Sequence, residues 1–76
     1  MNKGDQIYCY RVPDEIFCIG SFQKEIGDTG LIEFIDLVTG QFRLTTIQKI
    51  VEDPTRQQLA SVGRRLTIKN RKKPKK

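Results

Sequence analysis

Residues 31–50, LIEFIDLVTGQFRLTTIQKI, hold the pattern that predicts the fold. Branched and aromatic residues at 31–38 are typical of a β-strand. Their spread over both strand faces is expected when the strand is covered on two sides, or when a bulge changes its phase. The Thr-Gly dipeptide at positions 39–40 is typical of a tight hairpin turn. Because residues 41–45 then alternate between polar and apolar types, the stretch predicts an antiparallel hairpin.

The alternation in the second strand of this hairpin predicts which side chains enter the core. Successive side chains of a strand point to opposite faces, so the polar and apolar residues separate into two sets. We expect Phe42 and Leu44 to point inward, and Gln41, Arg43 and Thr45 to point outward.

Toward the N-terminus, the sequence predicts a second hairpin. Residues 7–12 are rich in β-branched and aromatic types, and Pro13 favours a turn over residues 12–15. Residues 16–23 return as another strand that pairs with the first. Residues 24–30, KEIGDTG, contain two glycines and two acidic residues and therefore predict a loop.

Toward the C-terminus, residues 45–48 predict a single helical turn and residues 49–52 a fifth short strand. Asp53 followed by proline is a typical helix start, because the carboxylate accepts hydrogen bonds from the free amides and proline fits the first helical position. We expect a helix over residues 54–62 that ends at Gly63, since glycine is common just after helices.

Charge is divided unequally along the chain, whose net charge is +5. Residues 1–63 carry six Lys/Arg against nine Asp/Glu, a net charge of −3, whereas residues 64–76 carry eight Lys/Arg and no acid. We call residues 64–76 the tail. A cationic arm of this kind gains affinity for nucleic acid by displacing counterions from phosphates. The alternatives are an anionic membrane, an acidic protein, a nuclear-localisation signal and simple solvation.

Within the tail, residues 64–69 alternate around Leu66 and Ile68, which predicts a further strand or helical turn. From Asn70 onward no apolar residue remains to be buried, so that part is expected to be disordered. The sequence thus divides into a domain at 1–63 and a basic tail.

Four segments carry a resemblance to a known superfamily: KGDQIYCY at 3–10, IFCIGSF at 16–22, LIEFID at 31–36 and LTTIQKI at 44–50. Together they resemble the Tudor/KOW branch of the SH3-like small barrels, over residues 3–52. The resemblance implies a mainly β fold, a five-stranded SH3-like barrel with a short C-terminal helix. It departs from the ribosomal KOW pattern, which is richer in glycine and in body lysines.

The leading interpretation is a small nucleic-acid-binding protein of weak sequence specificity, with DNA or RNA as its partner. Its contacts are predicted on one barrel face and along the tail, at Arg43, Lys49, Arg64, Arg65, Lys69, Arg71, Lys72, Lys73, Lys75 and Lys76. Tyr8 and Tyr10 share one face of the first strand and are candidates for stacking on bases. A component of a larger RNA–protein assembly is a weaker form of the same hypothesis.

The alternative is a protein-interaction adaptor or inhibitor, of the kind encoded by phages or mobile elements, that docks through the barrel. It is favoured by the acidic body and by the two-sided apolarity of residues 31–38, which a protein partner or a second copy in a homodimer would cover.

An enzyme is not expected, because the chain has no histidine, no glycine-rich phosphate loop and no serine in a nucleophile motif. Glu33 and Asp36 are predicted on opposite faces of their strand. Cys9 and Cys18 fit no common metal spacing and are predicted to be buried thiols, so we expect neither a metal nor another cofactor. Without an apolar span or leader, an intracellular protein is expected, cytoplasmic or, in a eukaryote, nuclear.

Overall fold

A computed structural model describes the backbone of residues 1–72 and the side chains of residues 1–65. Its elements are β1 (Gln6–Tyr10), β2 (Phe17–Ile26), β3 (Leu31–Asp36), β4 (Phe42–Thr46), a 3₁₀ helix (Ile47–Lys49), β5 (Ile50–Val51) and α1 (Arg56–Lys72). All neighbouring strands are antiparallel, in the order β4-β3-β2-β1-β5. The backbone N–H of Val12 donates to the Leu44 carbonyl at 2.9 Å, which brings the end of β1 to β4 and curls the sheet into a half-barrel. The predicted mainly β fold with five strands and a C-terminal helix is therefore confirmed.

The core lies on the concave face of the curled sheet. Paired residues of neighbouring antiparallel strands share a face, so the buried positions of β1, β2 and β3 meet there. The members of this cluster are Ile7, Cys9, Cys18, Phe22, Ile32 and Phe34, with Ile50 of β5 packed against them. The prediction that Cys9 and Cys18 are buried thiols is confirmed.

β2 is longer than predicted and takes up part of the predicted loop. It continues to Ile26, which pairs with Leu31, so only residues 27–30 form the turn. Gly27 and Gly30 have φ values of 49° and 80°, which residues with side chains rarely adopt. The register shifts between Phe22 and Lys24, which places a bulge in β2 while β3 keeps a strict alternation of burial.

The predicted inward and outward faces of β4 are wrong for Phe42 and Thr45, whereas Gln41 is exposed as predicted. Phe42 is 61% exposed, whereas Thr45 is completely buried. The register explains the difference, because Thr45 lies opposite Ile32 and Arg43 lies opposite Phe34, both of which face the core. The Thr45 hydroxyl donates to the Tyr10 carbonyl at 2.7 Å, so its burial leaves no unmade hydrogen bond.

α1 starts and ends later than predicted. Thr55 and Gln58 form a capping box: the Gln58 N–H donates to the Thr55 hydroxyl at 3.1 Å, and the Thr55 N–H donates to the Gln58 side-chain oxygen at 2.8 Å. This cap, rather than Asp53, begins the helix. Gly63 does not end it, since its φ is not positive and the helix continues to Lys72. Residues 64–72 are thus helical, where a strand or helical turn followed by disorder was expected.

Candidate nucleic-acid interface

The separation of charge coincides with the start of α1. Residues 54–76 carry nine Lys/Arg and no acid, leaving five Lys/Arg and nine Asp/Glu for residues 1–53. The net charges are therefore +9 and −4, which sum to the +5 of the whole chain. The 17 residues of α1 form a rod about 25 Å long at 1.5 Å per residue. Six of these nine cations belong to α1 and three follow it, so the positive charge is concentrated in the part of the chain that follows the sheet.

Three residues at helical spacing fix α1 to the convex face of the sheet. Gln58 donates from Nε2 to the Tyr10 hydroxyl at 2.7 Å, and Arg65 donates from Nη2 to the Phe17 carbonyl at 3.0 Å. Val62 lies between them and is 4% exposed. Because residues i, i+4 and i+7 lie on one side of a helix, these contacts define the side of α1 that packs on β1 and β2.

The predicted cationic residues of the tail divide by environment. Arg64 is exposed, whereas Arg65 is half-buried by its contact with Phe17. The Arg65 Nε is buried and has no hydrogen-bond partner among the described residues. Arg65 therefore anchors the helix. The side chains of Lys69, Arg71, Lys72, Lys73, Lys75 and Lys76 lie outside the described residues.

The two cations predicted on the barrel are both engaged by neighbours. The Lys49 Nζ lies 2.6 Å from a carboxylate oxygen of Glu15, and the Arg43 Nη2 donates to the Gln41 side-chain oxygen at 2.6 Å. Arg43 is also half-buried, because the register turns it toward the concave face. Glu15 cancels the charge of Lys49, so this face offers a phosphate less attraction than the sequence pattern indicated.

Tyr8 and Tyr10 share the convex face of β1, as predicted, and both contact Phe17. The Tyr8 and Phe17 rings are parallel within 5° with centroids 6.1 Å apart, and the Tyr10 ring is tilted by 60° at 5.0 Å. The Tyr10 hydroxyl accepts the hydrogen bond from Gln58, so Tyr10 joins the sheet to α1. Tyr8 instead lines a surface cleft beside β5.

A buried polar cluster at the end of β3 was missed by the sequence analysis. Asp36 is 1% exposed, and its carboxylate accepts the Val38 N–H at 2.8 Å and lies 3.6 Å from Nη1 of Arg11. Arg11 also contacts Asp14 at 2.9 Å, and this hydrogen bonding raises the pKa of Arg11 and lowers that of Asp14. An aspartate just before a turn is the one local signal of such an arrangement.

The buried thiols give a prediction about reactivity. Burial is the main cause that raises the pKa of Cys9 to about 12 and that of Cys18 to about 11, and the charge of Asp36 adds to the second shift. Since the thiolate is the reactive form, iodoacetamide at about pH 8 should modify both cysteines slowly in the folded protein and rapidly in urea. Mass spectrometry over time measures this, and equal rates in the two conditions would contradict it.

The raised pKa values of Cys9 and Cys18 also determine how the stability of the protein changes with pH. The folded-state pKa values lie above the ordinary value of 9.0, so the folded protein holds these protons more strongly than the unfolded chain. The contribution of the thiols to stability is complete below about pH 9 and is lost as the pH rises toward 11 and 12.

Comparisons with protein-family models, curated proteins and solved structures found no match to this chain. The half-barrel is a property of the structure, whereas membership of the SH3-like superfamily and its Tudor/KOW branch stays a prediction from sequence. Within the described part of the chain, no helix combines the length and apolarity that crossing a membrane requires.

Proposed function

We propose that this protein binds nucleic acid through the tail, with the half-barrel serving as the base on which α1 is fixed. The observation that carries the proposal is the charge division at α1: residues 54–76 hold nine cations and no acid, while residues 1–53 have a net charge of −4. Phosphates would be attracted to the tail and repelled by most of the body.

The mechanism is electrostatic. Each phosphate that a cation neutralises releases condensed counterions, which adds about 0.9 to the slope of log affinity against log salt on duplex DNA. Because phosphate contacts carry no base information, we expect weak sequence specificity. The contacts of α1 with Tyr10 and Phe17 support binding indirectly, because they fix the direction of the helix relative to the sheet. Residues 64–72 of the tail belong to this helix, so the same contacts direct the tail.

The test replaces tail cations in the full-length chain. Six Lys/Arg of the tail are changed to glutamine together: Lys69, Arg71, Lys72, Lys73, Lys75 and Lys76. Arg65 is left in place because it anchors the helix. We expect affinity to fall at least about a hundredfold at low salt, and the salt slope to fall by several units. Fluorescence anisotropy between about 50 and 200 mM salt measures both quantities.

Two double variants that remove the same number of cations from different places test whether the position of the cations matters. Lys75→Gln with Lys76→Gln removes two cations from the tail, and Lys3→Gln with Lys24→Gln removes two exposed cations from the body. The tail pair should lower the slope by up to about 2, and the body pair should leave it nearly unchanged. Equal effects of the two pairs would refute a tail-centred interface. Single- and double-stranded DNA and RNA probes identify the preferred polymer.

A further inference from the structure

Two surface clefts lie on either side of Ile47, on the 3₁₀ helix between β4 and β5. The larger, of about 410 Å³, is lined by Met1, Gln6, Ile7, Tyr8, Ile47, Ile50, Val51 and Glu52. The smaller, of about 270 Å³, is lined by Glu25, Gly27, Gly30, Leu31, Ile32 and Ile47. Ile47 borders both clefts and is 58% exposed. We call the two clefts with Ile47 between them the Ile47 surface.

The charge of the Ile47 surface indicates what it can bind. Each cleft is mainly apolar and has one charged side chain in its lining, Glu52 in the larger and Glu25 in the smaller. None of the ion pairs found among residues 1–65 involves either carboxylate. An apolar surface bordered by carboxylates favours a segment that combines apolar and cationic side chains over phosphate. The Ile47 surface therefore differs in kind from the proposed nucleic-acid interface.

We propose that the Ile47 surface binds the tail of a second copy of this chain. Apart from Arg65, which anchors α1 in its own copy, the tail has the matching composition, with seven Lys/Arg, no acid, and the apolar residues Leu66 and Ile68. In its own copy α1 is fixed to the convex face through Gln58 and Arg65. The helix then continues to Lys72, about 10 Å beyond Arg65 at 1.5 Å per residue.

This arrangement makes self-association and nucleic-acid binding compete for one segment. Two copies that exchange tails would form a closed dimer, whereas one-way docking would form an open chain. In both cases high salt weakens the contact by screening its charges, and nucleic acid releases the Ile47 surface by occupying the tail. Self-association would thereby regulate nucleic-acid binding. Only this competition rests on the proposed function.

Sedimentation velocity of the full-length chain at low salt tests the self-association. The wild-type sedimentation coefficient should rise with protein concentration, and Ile47→Ser should weaken association about tenfold or more, since it removes the apolar side chain at the centre of the contact. Phe42→Ser is the matched control, because Phe42 is similarly exposed at 61% and lines neither cleft. A wild-type monomer at every concentration, or equal effects of the two variants, would overturn the proposal.

A second measurement identifies the occupant. A fluorescent peptide of residues 64–76 should bind the wild-type protein and lose about tenfold or more in affinity to Glu25→Lys with Glu52→Lys, but not to Asp28→Lys. The same peptide with Leu66→Ser and Ile68→Ser should bind more weakly, because the surface is mainly apolar. Equal binding would show that the surface accepts any cationic peptide and that the second-copy assignment is wrong.

The nucleic-acid assay keeps the two proposals apart. Ile47→Ser should leave the salt slope of nucleic-acid binding unchanged, because Ile47 lies outside the tail and the substitution changes no charge. Self-association that survives without nucleic-acid binding would refute only the proposed function. Nucleic-acid binding by a strictly monomeric wild type would refute only this inference.

Discussion

Replacing Gly20 by alanine is expected to lower the free energy of unfolding by about 3 kcal/mol, at the upper end of the range for overpacked cores. Gly20 is buried in the central strand β2, where the ring of Phe34 lies against its Cα. A Cβ atom at this position would clash with that ring and would lie 2.9 Å from the Ile35 carbonyl oxygen. The ring is completely buried and the carbonyl belongs to the neighbouring strand, so neither can move away cheaply.

Urea unfolding followed by circular dichroism measures the change, and Gly63→Ala is its control. Gly63 lies inside α1 with no atom within 4 Å of a built Cβ, so alanine there should raise stability by about 0.5–1 kcal/mol. The same substitution thus has opposite signs at the two sites.

A double variant tests the proposed cause of the Gly20 effect. If the clash with Phe34 is responsible, the double variant Gly20→Ala with Phe34→Leu should lose less free energy of unfolding than the two single variants added together. The difference should be about 1 kcal/mol. Strict additivity would show that the clash with the ring is not the main cause.

Gly20 also illustrates what the sequence could predict. Strands and turns depend on local residue types, so the hairpins of β1–β2 and β3–β4 were predicted close to their observed positions. Alternation in a strand defines two faces but does not say which of them meets the core. In β4 that choice depends on the hydrogen bond from Thr45 to Tyr10, 35 residues away, and the prediction for Phe42 was therefore wrong.

In the candidate interface, too, features that depend on nearby residues could be predicted, and contacts between distant residues could not. The charge of the tail is a property of composition and could be predicted. Lys49 contacts Glu15, which lies 34 positions away, and Arg65 contacts the Phe17 carbonyl, which lies 48 positions away. No local pattern in the sequence indicates either contact. The sequence predicted Asp53 as the cap of α1, whereas in the structure Thr55 caps the helix and Gln58 completes the capping box.

Asp36 is the position where the structure adds most to the sequence. From sequence, Asp36 is predicted only to lie on the strand face opposite Glu33. In the structure, its backbone carbonyl accepts the Gly40 N–H at 2.7 Å and its carboxylate accepts the Val38 N–H at 2.8 Å. The carboxylate also lies 3.6 Å from Nη1 of Arg11. One side chain therefore connects the β3–β4 turn to the end of β1.

Asp36→Ala is expected to lower the free energy of unfolding by about 3 kcal/mol, because it removes both the acceptor of the buried Val38 N–H and the carboxylate beside Arg11. For a chain of 76 residues this is a large share of a total stability of roughly 4–11 kcal/mol. Asp36→Asn should cost about half as much, because its side-chain oxygen still accepts the Val38 N–H while the charge beside Arg11 is lost. Urea unfolding near neutral pH ranks the two variants. If both variants lose the same free energy of unfolding, the whole effect comes from the charge beside Arg11. If Asp36→Asn is the less stable variant, the proposed role of the hydrogen bond to Val38 is contradicted.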